Sequence, residues 1–133
     1  MANHPPEPLT PPVATDKGHI LLVEDDDACR EALGRVLQRE GYAVSLAPDF
    51  REALDILESE QRVDLLLTDV VMPDRVNGVA LARMARLRRQ ELKVVYMTAY
   101  NIPGIEREAL GPILRKPVED DVLISEITKA LAS

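Results

Sequence analysis

Between residues 19 and 132 the chain alternates between two hydrophobic rhythms. One is the short unbroken apolar run: HILLVED, YAVSLA, VDLLLTD, KVVYMT and PILRK. The other places apolar residues three and four apart, as at Ala28, Ala32, Leu33, Val36 and Leu37. That spacing lines one face of a helix. It predicts helices over DACREALGRVLQREG, DFREALDILES, NGVALARMARLRRQ and EDDVLISEITKALA. Gly41 supplies a stop for the first, and Asp49 with Glu52 three residues on supplies a capping box for the second. Strands that are apolar throughout, rather than at every other position, are covered on both faces. With a helix after each, the pattern predicts an α/β fold: a doubly wound parallel sheet of five strands. Right-handed crossovers then bring ligands to the carboxyl ends of the strands.

Two stretches stand outside this rhythm. Residues 1–17, MANHPPEPLTPPVATDK, carry five of the ten prolines and are expected to form a disordered tail, leaving 18–133 as one folded domain. A ligand for a proline-binding groove is the weaker alternative for PPEPLTPP. Between Thr98 and Lys116 lies AYNIPGIEREALG, in which Pro103 and Gly104 oppose a helix start and Gly111 and Pro112 stop it. IEREAL alone has fair helix propensity, and six residues make under two turns. A short or irregular fourth helix after a mobile loop over residues 100–104 is the expectation.

Composition narrows the function. The net charge of −7 argues against general binding to nucleic acid or an anionic membrane. One cysteine, Cys29, excludes an internal disulfide and fits a cytoplasmic location. No run is long enough to span a membrane. Aromatic residues are one Phe and three Tyr, so the core is aliphatic.

The chemistry lies where the predicted strands end. The first ends in Glu24, Asp25, Asp26 and Asp27, the third in Asp69, the fourth in Thr98 and the fifth in Lys116. A buried unpaired carboxylate is costly, so Asp69 at the end of an apolar run needs a cation, a metal or a reaction. Massed carboxylates repel unless screened, and a few hard oxygens suit Mg²⁺. A hydroxyl and an ammonium opposite them provide for the oxygens of a phosphoryl group, and Asp69 for the nucleophile.

The motifs LLVEDD, LLLTDVVMPD, VVYMTAY and LRKP, in this order, resemble those of the receiver domains of bacterial response regulators. The resemblance covers about residues 18–132. It implies a flavodoxin-like sheet of strand order 2-1-3-4-5. It implies that Glu24 and Asp25 bind Mg²⁺ together with Asp69 and the backbone carbonyl of Val71, and that Asp69 is phosphorylated. It further implies that Thr98 and Lys116 contact the phosphoryl group, and that the Lys116–Pro117 bond is cis. The donor would be a phosphohistidine on a sensor histidine kinase or a phosphotransfer protein. With no DNA-binding domain in view, either output would pass through contacts with an unknown protein partner or the chain is an excised piece of a longer protein. The domain would be no enzyme beyond assisting its own phosphoryl transfer and slow self-dephosphorylation.

Three departures from the family pattern stand out. PDRVNG, residues 73–78, is one residue longer than the usual loop. Ile113 occupies a position often aromatic, and the stretch between Thr98 and Lys116 is about one helical turn short. The rival is a haloacid-dehalogenase-like phosphatase, with Asp25 as nucleophile and Asp27 as its partner. Against it, Ala28 and Cys29 run straight into a helix. Asp26 and Asp27 read as helix-start acids, Cys29 as packing, and Arg83, Arg86, Arg88, Arg89 and Lys93 as a solvated face.

Overall fold

The computed structural model describes residues 17–72 and 77–133. The predicted tail therefore lies outside the described residues except for Lys17, and so does most of the lengthened loop. The elements run β1 (His19–Val23), α1 (Asp27–Arg39), β2 (Ala43–Ala47), α2 (Phe50–Glu58) and β3 (Leu65–Asp69). They continue with α3 (Gly78–Arg88), β4 (Lys93–Thr98), α4 (Ile105–Glu108), β5 (Ile113–Arg115) and α5 (Asp120–Ala132). All strand pairs are parallel, in the order β2-β1-β3-β4-β5.

Alternate residues of each strand feed two cores, as a period of two requires. Leu21, Val23, Leu66, Val94 and Tyr96 face Ala53 and Leu57 of α2 and Leu81, Ala82 and Ala85 of α3. Ile20, Leu22, Leu65, Leu67, Val95 and Met97 face Leu33 and Leu37 of α1 and Leu123 and Ile127 of α5. Burial of each such aliphatic side chain contributes roughly 2 kcal/mol. Every residue of β1 and β3 is buried, which is why their sequences show no alternation.

The helix starts are fixed by side chains. Asp26 accepts from the Cys29 amide, Asp49 from the Glu52 amide and Asn77 from the Ala80 amide. Gly78 opens α3 where no larger residue fits, because a Cβ there would fall 2.1 Å from the Asp69 carbonyl oxygen. The fourth helix is four residues long, follows Gly104 as its N-cap without a side-chain cap bond, and buries none of its residues. It is braced from outside. Arg83 donates to the Glu108 carbonyl, and the Leu110 amide donates to the buried Tyr96 hydroxyl. Gly111 passes so close to β4 that a Cβ would fall 1.7 Å from the Val94 carbonyl oxygen.

The basic stretch of α3 is not a uniformly solvated face. Arg89 donates to the carbonyls of Ile56, Leu57 and Ser59 at the end of α2, and Arg88 pairs with Glu58. Free carbonyls at a helix end attract cations, so these arginines clasp α2 to α3.

Candidate functional site

Four strands deliver one side chain or more to a single crevice at the carboxyl end of the sheet. Glu24 and Asp25 follow β1, Asp69 ends β3, Thr98 ends β4 and Lys116 follows β5. The cavity they line with Val71, Met72 and Tyr100 is about 440 Å³. Glu24 and Asp69 are buried, whereas Asp25 is exposed at the rim. One oxygen from each of Glu24, Asp25 and Asp69 lies within 4.8 Å of the others.

Lys116 binds two of these acids. Its Nζ donates to Glu24 Oε1 at 2.5 Å and stands 2.8 Å from Asp69 Oδ1. The second contact is an ion pair off the line of a hydrogen bond, so buried Asp69 Oδ1 has no hydrogen-bond partner among the described residues. Burial and the Glu24 carboxylate push the Asp69 pKa up to about 7, against the pull of Lys116. Burial works the other way from the bonds on Glu24. Its contacts with Asp69, Lys116, the Asp26 amide and Cys29 prevail and hold it at about 2. Lys116 loses solvation too, but the two carboxylates raise its pKa and keep it an ammonium.

Three carboxylates thus face one ammonium. This excess of hard anionic oxygen fits a small divalent cation. Asp69 is nearly as buried as Glu24, and its Oδ1 is paired with Lys116 rather than tied to a backbone amide. Thr98 Oγ1 accepts from the Tyr100 amide at 3.0 Å and lies 3.4 Å from the Tyr100 carbonyl, so its hydroxyl is engaged with the loop beyond β4. The Lys116 amide donates to the Thr98 carbonyl, which ties the lysine to the threonine through the backbone. The Lys116–Pro117 bond is cis.

Three contacts were not evident from the sequence. The Asp26 amide donates to Glu24 Oε2, the Cys29 thiol to Glu24 Oε1, and the Arg30 guanidinium to the Glu24 carbonyl. Cys29 and Arg30 come around to Glu24 only because α1 begins at Asp27, and nothing in their residue types announces it. Asp27 is paired with Arg30 at 2.6 Å. Asp27, the second acid of the phosphatase alternative, does not line the crevice.

A five-stranded parallel sheet of this order, with an acid-lined crevice and a lysine at its carboxyl end, defines a class of signalling domain. The chain belongs to the response regulator receiver domain family, whose model matches residues 20–128. It is 45% identical over 80 residues to the response regulator MprA of Mycolicibacterium vanbaalenii, covering 60% of this chain and 34% of that one. The chain thus spans about a third of that relative's length. It is 34% identical to the response regulator receiver protein CpdR of Brucella abortus, over 84% of this chain and 95% of CpdR. Among solved structures it is similar to the response regulator TrrA of Thermotoga maritima in complex with Mg²⁺–BeF. The TM-score is 0.74 at 28% identity, covering 85% of this chain and 98% of TrrA. The family is regulatory, a receiver in two-component signalling, and gives the phosphatase alternative no support. Among the described residues no helix is long and apolar enough to cross a membrane.

Proposed function

We propose that Asp69 is the phosphoacceptor of this receiver, taking its phosphoryl group from a phosphohistidine of a sensor kinase or a phosphotransfer protein. The observation that carries this is the convergence of Glu24, Asp25 and Asp69 within 4.8 Å beside Lys116. An Asp69 oxygen attacks phosphorus, the phosphorus–nitrogen bond breaks, and the electron pair leaves with the imidazole. Glu24, Asp25, Asp69 and the Val71 carbonyl would hold Mg²⁺. When bound, that ion neutralises charge on the transferring phosphoryl oxygens. Lys116 pairs with one phosphoryl oxygen by releasing a carboxylate. Thr98 donates to another once its hydroxyl leaves Tyr100.

Val71 and Tyr100 border the approach of water to phosphorus, and neither side chain can orient a water as a carboxamide or carboxylate does. Self-dephosphorylation is therefore slow, and the signal is passed by protein contacts in the cytoplasm. The test is to label the protein with acetyl phosphate and Mg²⁺ and to map the acyl phosphate. The expected position is Asp69. A label at Asp25, or none, overturns the reading.

A further inference from the structure

The first turn of α1 grips Glu24 from three directions. The Asp26 amide donates to Oε2 at 3.0 Å, the Cys29 thiol to Oε1 at 3.2 Å and Arg30 to the backbone carbonyl at 2.9 Å. Arg30 is itself anchored by Asp27 at 2.6 Å. Glu24 is 1% exposed, so the bonds to Oε1 and Oε2 replace water that the carboxylate has lost. Oε1 receives only two side-chain donors among the described residues, Lys116 and Cys29. These same two side chains line one apolar cavity between α1 and the segment after β5, with Leu33, Val36, Pro117 and Val118. Lys116 is shared between Glu24 and Asp69. Cys29 has no second side chain to serve.

We propose that Cys29 is a positioning residue for the cation site, its thiol fixing the Glu24 carboxylate in the orientation that binds the metal. The inference rests on the reading of Glu24 and Asp25 as Mg²⁺ ligands. The bond is weak by itself, because a thiol is a poor donor. Its value is geometric: an acid with one oxygen on a backbone amide and the other on a thiol cannot turn about its terminal bond when Lys116 departs. Partners that orient a metal ligand commonly change metal affinity about tenfold or more when removed.

A packing role makes the opposite forecast, because Cys29 also lies against the aliphatic core under α1. Cys29→Val keeps apolar volume and removes the donor, while Cys29→Ser keeps a donor and loses apolar character. Two quantities are measured on each chain: the Mg²⁺ dissociation constant by calorimetry, and the Mg²⁺ dependence of labelling by acetyl phosphate. For Cys29→Val we expect the Mg²⁺ constant and half-saturation point to rise about tenfold, with the labelling rate at saturating Mg²⁺ little changed. Cys29→Ser should stay near wild type in both. Wild-type Mg²⁺ binding by Cys29→Val, or an equal loss in both variants, overturns the proposal. If no chain labels yet the Mg²⁺ constants shift as expected, the phosphoacceptor reading fails and the role of Cys29 stands. If wild type labels and the constants do not shift, the reverse holds. A wild type that binds no Mg²⁺ removes both.

Discussion

The connections that follow β1 and β4 are built in opposite ways, although each begins with a residue of the crevice. After β1 comes α1, thirteen residues with a side-chain cap at Asp26 and three bonds back to Glu24. After β4 comes a loop and then α4, four residues with a glycine cap, no side-chain cap bond and none of its residues buried. Glu24 is fixed by its own helix, while Thr98 is held by the loop it would have to leave. The acids are thus presented in a preformed geometry, and the hydroxyl is placed on the side with little local structure of its own. A change at Asp69 can then be felt beyond β4 while Glu24 keeps the bonds it makes to α1.

The largest effect expected is chemical. Asp69→Asn should abolish labelling by acetyl phosphate while the fold persists, as followed by circular dichroism. It also removes one of the buried carboxylates facing Lys116, so the metal-free variant should be about 1 kcal/mol more stable than wild type. A variant that labels as wild type does would end the assignment.

The two glycines bounding α4 separate packing from local preference. Gly111→Ala places a Cβ 1.7 Å from the Val94 carbonyl and should cost about 3 kcal/mol or more. Gly104→Ala meets nothing within 4 Å, and its φ of 79° alone should cost about 1 kcal/mol. Equal losses in denaturant melts would mean that the approach to β4 is not what holds this side.

Amide exchange compares the two connections directly. Residues 99–111 should exchange faster than α1 in the unphosphorylated protein and slow several-fold when a beryllofluoride phosphoryl mimic is added. Phosphorylation would then act by ordering the loop around Thr98. Strong protection at the outset, or none gained, would separate Thr98 from output.

A smaller change is expected in lifetime. Decay of phospho-Asp69 should quicken about several-fold in Val71→Asn or Tyr100→Glu, each giving water an orienting partner. Unchanged or slower decay in both would show that the border of the crevice does not set the rate.

The smallest effect is a control at the opposite end of the sheet. His19, first residue of β1, is buried with neither ring nitrogen hydrogen-bonded among the described residues. Burial and Arg62 lower its pKa below 6.5, with Asp64 opposing. The unfolded chain therefore takes the proton first, so stability is full above pH 6.5 and falls as pH drops through that value toward the lower folded one. His19→Val should lose less melting temperature than wild type between about pH 7.5 and about pH 5.5. Identical losses would assign the acid sensitivity to other groups.

The sheet was legible because its strands are buried on both faces, and burial writes itself as uninterrupted runs such as LLLTD. The shortness of α4 was legible for a local reason: Gly104, Gly111 and Pro112 are incompatible with a longer helix. The converging acids and lysine followed from strand ends plus motif order. What stayed hidden depends on direction rather than residue type. Cys29 has the composition of a packing residue and does pack, and only the turn of α1 also aims its thiol at Glu24. Arg89, read within a solvated basic stretch, faces the carbonyls of a helix that begins 39 positions earlier, at Phe50 (89 − 50). Neither partnership has a sequence period to betray it.

The ion pairs of Lys116 also constrain how the chain reaches this state. The lysine arrives with the last strand to join the sheet in sequence, 92 positions after Glu24. Until then, an assembled β1 and β3 hold two carboxylates side by side with their cation still on an undocked segment. Parallel strands already form slowly, since each pairing closes a long loop. A sheet of four strands without β5 would leave the Glu24 and Asp69 carboxylates without the only ammonium among the described residues of the crevice. Docking of β5 supplies the cation of the crevice, so completion of the sheet and completion of the crevice depend on the same strand.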